Sequence, residues 1–274
     1  MSGSLQSWLS LRVLATLLIP PVYIAVVSLA ERRWGQTLSG RLTALPTQTS
    51  TIVLIVAAEQ GQAVAGGVAA GAILGVVSLT AFAVSYGAAC RWLAWPGSVA
   101  VGLGAFFLSG VLMLRVHGSA AVDAAAAVAI VVAAAVLLGR LVDEGGRGNR
   151  VAVGLPARMA LALLLVVFVA ASVTLFGPIA TGLLGVFPII TGPMTVLNHR
   201  ESGPGAARRY LEGLEWGLVG GVVFFLALSD LLEARGLLVA FAVGLPVLLV
   251  VQLLCYAVPP RVIPRKEPSR PGLA

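Results

Sequence analysis

The sequence predicts an all-α membrane protein of about nine transmembrane helices, arranged as two inverted four-helix repeats joined by one linker helix. Three observations lead there. The 274-residue chain is 59% hydrophobic and 11% charged, whereas a soluble surface needs about a quarter of its residues charged. A stretch of 41 residues occurs twice, positions 35–75 returning without a gap as 177–217 with ten identities. Finally, when the apolar runs are laid across a membrane in alternation, 15 of the 18 basic residues fall on one side, as the positive-inside rule requires.

The identities carry the duplication because of their kind. Gly35/Gly177, Gly40/Gly182, Leu42/Leu184, Pro46/Pro188, Thr49/Thr191, Glu59/Glu201, Gly61/Gly203, Ala65/Ala207, Gly71/Gly213 and Gly75/Gly217 share one register. Matched Ala or Leu would mean little in so biased a composition. A proline, a glutamate and five glycines at a common offset point to an internal repeat.

Nine apolar stretches are long enough to cross a hydrocarbon core about 30 Å thick. They lie near 9–30, 40–58, 63–89, 93–114, 119–139, 158–176, 179–198, 211–229 and 236–257. Ser28-Leu29-Ala30 before Glu31 resembles a signal-peptide cleavage site. Against that, the run beginning at Arg12 matches the run beginning at Arg158, and a mid-chain segment is no signal. Alternation leaves only Arg12, Arg115 and Arg235 on the sparse side, so the N-terminus is expected outside and the C-terminus in the cytoplasm of a bacterial inner membrane. The units are then 1–118 (first repeat), 119–150 (linker helix and cytoplasmic loop), 151–258 (second repeat) and 259–274 (a disordered basic tail). A single extra crossing between two four-helix units turns the second upside down.

The linker helix is almost entirely Ala, Val and Leu, and its Asp123, one turn from the outer end, is expected to reach the interface. Gly71-x-x-x-Gly75 and Gly213-x-x-x-Gly217 give the third helix of each repeat a small-residue face suited to close packing.

Catalytic signatures are missing: there is no HExxH, GxSxG, Walker A or paired-Cys motif. No enzyme activity, metal or cofactor is expected. Cys90 and Cys255 end apolar segments and read as reduced structural thiols. The net charge of +7 does not indicate nucleic acid, because topology control already accounts for the basic residues.

Polar groups and helix breakers concentrate in the second helix of each repeat. Pro46 is followed by Thr47, Gln48, Thr49 and Ser50, and Pro188 by Thr191, Gly192 and Pro193. A proline removes a backbone donor and crowds the carbonyl four residues earlier, so polar groups are expected near the Leu42 and Leu184 carbonyls. Broken helices at matched positions of inverted repeats point to a transporter binding site; a plain proline kink with self-bonded hydroxyls is the competing reading. Glu59 and Glu201 occupy equivalent positions at opposite membrane faces. They read either as gating or proton-relay carboxylates or as charges capping the following helix. Asn198 and His199, beside Glu201, have only Val56 and Ala57 as counterparts.

The stretch 181–208, with Gly182, Leu183, Leu184, Phe187, Pro188, Glu201, Gly203 and Arg208, resembles the GlpM family of small bacterial inner-membrane proteins. The first repeat keeps Gly40, Leu42, Pro46, Glu59 and Gly61 but departs at Leu45 and Gly66. The resemblance covers each repeat separately. It implies a link to exopolysaccharide production and a fused form of a protein that would otherwise pair with itself.

Two functions follow as expectations. The first is a secondary transporter or exporter of a small solute or ion, working by alternating access. The second is a non-transporting membrane component of envelope or exopolysaccharide assembly. Expected partners are membrane lipid and an unidentified small solute or ion, with no nucleic acid; a homo-oligomer stays open.

Overall fold

The structure, a computed structural model, describes Leu29, residues 33–142 and residues 177–257. The expected spans 9–30 and 158–176, the loop after residue 142 and the tail lie outside the described residues. Every described element is a helix. In chain order they are α1 (Gln36–Thr43), α2 (Thr47–Glu59), α3 (Gln62–Ala89), α4 (Trp95–Val116), α5 (Ala120–Arg140), α6 (Pro178–Gly185), α7 (Thr191–Ser202), α8 (Pro204–Arg235) and α9 (Leu237–Ala257).

Six of these segments are long and apolar enough to cross a membrane, with α1 and α2 counted together as Gln36–Glu59. The chain is a multi-pass membrane protein. The expected span at 179–198 is interrupted, as its proline predicts, into two short helices, α6 and α7, and is not among the six. The expected helix at 211–229 is also longer, starting at Pro204 and ending at Arg235. Proline at its first turn needs no donor there and suits a helix start.

α3 and α8 form the buried centre. Tyr86, Phe82, Ile73, Tyr210, Leu211, Phe224 and Phe225 are each at most 1% exposed. The outer faces of α4, α5 and α9 carry exposed apolar residues such as Leu108, Val122, Leu238 and Leu253. In a chain this apolar, such surfaces face lipid. Arg33 lies over Trp34, Arg91 over Trp92 and Arg200 over Trp95, at 5.5–5.8 Å from the ring centroids. Arginine paired with tryptophan is typical of the membrane interface.

The tightest contacts are reciprocal. A methyl group at Gly40 of α1 would lie 2.0 Å from the Tyr210 carbonyl oxygen of α8, and one at Gly182 of α6 would lie 1.9 Å from the Val68 carbonyl oxygen of α3. Gly71 of α3 meets Ile179 of α6, and Gly213 of α8 meets Thr37 of α1, each at 2.0 Å from the carbonyl oxygen. Gly75 faces Leu183 and Val186; Gly217 faces Arg41 and Ala44. Every contact has its counterpart 142 positions away with the two copies exchanged. The glycine pairs read from the sequence as a packing face therefore do pack closely, each against the first half-helix of the other copy. No side chain fits where backbone meets backbone.

Gly61 and Gly203 precede α3 and α8 with φ 94° and 86°, a region that L residues other than glycine seldom occupy. They let the chain reverse between α2 and α3, and between α7 and α8, within a residue or two. The glutamates lie just before these glycines. Glu59 is the last residue of α2 and Glu201 the penultimate residue of α7, whereas the N-caps of the following helices are Gly61 and Gly203, with no side-chain capping bond.

At the other end, the Ser119 hydroxyl accepts from the Val122 N–H. The Asp123 carboxylate accepts from the Gly118 N–H. Asp123 thus serves the start of α5.

Candidate functional site

The two breaks have the same construction. After α1 the Leu45 N–H donates to the Leu42 carbonyl at 3.1 Å; after α6 the Phe187 N–H donates to the Leu184 carbonyl at 3.0 Å. Thr47 N–H then donates to Leu45, and Ile189 N–H to Phe187, closing a tight turn around each proline at 2.8 and 2.7 Å. Both helices restart with a bond back to the proline carbonyl, from Ser50 and Gly192, at 2.9 Å each. The Leu42 and Leu184 carbonyls each find a donor within their own turn. A helix end can tighten to three-residue spacing and recover a donor that the proline would have removed. The polar group that crosses between the copies goes elsewhere: the Thr49 hydroxyl donates to the Gly185 carbonyl at 2.8 Å.

Between the breaks lies a cavity of about 60 Å³, room for roughly four waters at 10–15 Å³ each. Its lining is paired across the duplication: Thr43 with Gly185, Ala44 with Val186, Leu45 with Phe187, Gln48 with Ile190, Thr49 with Thr191, Val76 with Leu218 and Leu79 with Gly221. Pro46, Thr47 and Phe225 complete it. The first copy supplies Thr43, Thr47, Gln48 and Thr49, and the second supplies Thr191 among apolar neighbours. One wall is thus polar and the facing wall apolar, and no charged side chain lines either. Four helix ends converge here, the C-termini of α1 and α6 and the N-termini of α2 and α7, so positive and negative dipole ends offset one another.

No protein-family model, curated protein or solved structure matches the chain. The site has to be read from its own chemistry.

Of the residues singled out in the sequence, Pro46, Thr47, Gln48, Thr49 and Thr191 line the cavity. Pro188 sits in the second break, between the lining residues Phe187 and Ile190. Ser50 is adjacent, but its hydroxyl donates back to the Pro46 carbonyl. The remaining four are elsewhere. Glu59 is exposed at the end of α2. Asn198, His199 and Glu201 lie toward the far end of α7, about 10–15 Å beyond Thr191 at 1.5 Å per residue. Asn198 is 2% exposed and its amide donates to the Met194 carbonyl at 2.9 Å. His199 Nδ1 and the Tyr86 hydroxyl share a hydrogen bond of 3.0 Å.

Beside that end, Arg208 of α8 is 2% exposed. Its Nε donates to the Gly87 carbonyl at 2.8 Å and its Nη1 to the Leu141 carbonyl at 2.7 Å. One side chain so joins α8 to the C-terminal ends of α3 and α5. This arginine reads as a structural clasp.

Two buried polar residues near the cavity were missed in the sequence. Glu215 is fully buried on α8, where the Thr80 hydroxyl donates to its Oε2 at 2.9 Å and its Oε1 has no hydrogen-bond partner. Its repeat counterpart is Ile73, and that of Thr80 is Val222, so a search for matched positions passes both by. The available signal was a carboxyl inside an apolar span, which is costly to bury and marks function more often than not.

Proposed function

We propose that the chain is a secondary transporter for a small, uncharged polar solute, with the cavity between the two broken helices as its binding site. One observation carries this reading: seven pairs of repeat-equivalent residues line one cavity. A site on the symmetry axis of inverted repeats can be opened to either side by exchanging the conformations of the two copies. The reciprocal glycine contacts support such an axis, because a two-fold relation makes residue i meet j and the counterpart of i meet the counterpart of j. The absence of lining charge and the offset helix ends favour a neutral solute. The polar and apolar walls favour one with two unlike edges.

The orientation is tested by topology reporters. With the basic residues on the cytoplasmic side, a reporter at position 145 is expected inside and one at position 118 outside. Both on the same face would exclude the inverted arrangement.

The site is tested with cysteines at Gln48 and Thr191 in a background lacking Cys90 and Cys255. Both are expected to react with a small water-soluble thiol reagent, and a solute from a panel of small neutral compounds is expected to protect them. Inertness from both sides of the membrane would mean a dry centre. The chain would then be a non-transporting component of envelope or exopolysaccharide assembly, the role implied by the GlpM resemblance.

A further inference from the structure

Glu215 is placed where a coupling ion would be needed. It lies three residues before Leu218, a cavity-lining residue on the same helix, a separation of about 4.5 Å along the axis. Its partner Thr80 directly follows Leu79, which lines the cavity from α3. Glu215 and Thr80 do not themselves line the cavity, but each lies within one helical turn of a residue that does, and among the described residues the carboxyl has one oxygen held and the other unpartnered.

Among the described residues no cation offsets this carboxyl. On α8 the nearest titratable group is Glu212, one turn nearer the Arg208 end, and Asp230 lies about four turns the other way. On α3 the next such group is Tyr86, two turns beyond Thr80. On α5, Asp123 and Arg140 occupy the two end turns. On α1, Arg41 lies over the Tyr256 ring of α9, 5.2 Å from its centroid. Of the other helices packed on α8, α7 carries His199, Arg200 and Glu201 at its far end, and α9 carries Cys255 and Tyr256 in its last turn. Among the described residues Glu215 is thus an isolated carboxyl inside the bundle.

We propose that Glu215 binds and releases a proton through the central cavity and so couples proton movement to transport, an inference that rests on the reading of that cavity as a solute site. The proton is taken from water in the cavity and forms an O–H bond at Oε1, while the Thr80 hydroxyl keeps Oε2 in place. The O–H bond broken on loading is that of a hydronium ion, which becomes water; when the cavity faces the other side the Oε1–H bond breaks and hydronium re-forms there. A metal cation is a poorer occupant, because hard cations take six or more oxygens and the pair offers three. Each loading changes the charge of a dry helix junction by one. That is a differential interaction able to shift the balance between two helix arrangements.

The test uses the full chain in phosphatidylethanolamine–phosphatidylglycerol vesicles and infrared difference spectra as pH is stepped from acid to alkaline. A protonated-carboxyl band is expected in the wild type and absent from Glu215→Gln. Thr80→Val retains the carboxyl and is expected to move the band, since one hydrogen bond is lost; this variant serves if Glu215→Gln fails to fold. On transfer to D₂O the band shifts, and a bulky maleimide on Gln48→Cys, with Cys90 and Cys255 removed, is expected to slow that shift at least tenfold. A spectrum unchanged by both substitutions, or exchange indifferent to the maleimide, would overturn the proposal while leaving the cavity reading to its own labelling test. A Gln48→Cys that never reacts would defeat the cavity reading and remove the proton route with it.

Discussion

Gly182→Ala is expected to abolish the folded bundle, and Gly40→Ala to do the same. The added methyl would lie 1.9 Å from the Val68 carbonyl oxygen in one case and 2.0 Å from the Tyr210 carbonyl oxygen in the other. Both obstacles are backbone, so no rotamer change relieves them and two helices must separate. Overpacking against side chains costs about 1–3 kcal/mol, and these substitutions are expected at or above the top of that range. Gly104→Ala on α4, where nothing lies within 4 Å, is the control and is expected to stay within about 0.5 kcal/mol of the parent. Folded yield and denaturant midpoints in bicelles provide the measurement. Equal and large losses at Gly40 and Gly182 are expected. A tolerant Gly182 would mean that α6 does not seat on α3.

Arg208→Met is the second large effect, expected to cost roughly 3–5 kcal/mol. Hydrogen bonds to charged groups contribute about 1.5–3 kcal/mol each, and this side chain makes one to Gly87 and one to Leu141. Methionine fills much of the volume but removes the guanidinium donor from both carbonyls, leaving Gly87 only the weak Cys90 thiol. Arg208→Lys is expected to recover only part of the loss, because an ammonium lacks the planar fork that serves two acceptors in fixed directions. Arg140→Met, at an exposed position near the same bundle end, is expected to change stability little. The comparison is made by thermal unfolding of the full chain in bicelles. Equal behaviour of positions 208 and 140 would show that the clasp does not hold α8 to α3 and α5.

The extent to which the site could be read from the sequence varied by residue, for physical reasons. Pro46 and Pro188 announced the breaks because proline excludes a helical hydrogen bond wherever it falls inside a span, and Thr47, Gln48, Thr49 and Thr191 followed as their polar neighbours. Asn198, His199 and Glu201 do not join the cavity lining, because a helix carries a residue away at 1.5 Å per position and α7 takes them toward its far end. Glu215 and Thr80 form one site from residues 135 positions apart, a pairing that only the crossing of α3 and α8 creates.

By itself the sequence determined that the chain is an all-helical, multi-pass membrane protein, that 35–75 and 177–217 share one pattern, and that the second helix of each copy is interrupted. These follow from composition, from glycine and proline chemistry and from the length a helix needs to cross lipid, all local properties. Only the tertiary structure decided which glycine meets which backbone, that α1 and α6 each seat on the long helix of the other copy, and that the breaks face one another across a cavity. It also decided that Thr49 reaches Gly185 while the Leu42 and Leu184 carbonyls find donors in their own turns. In lipid, apolar helices gain nothing merely by leaving the solvent, so their partners are chosen by close packing and by the few polar groups between them. Such choices depend on surfaces that meet across more than a hundred residues, and no local pattern encodes them.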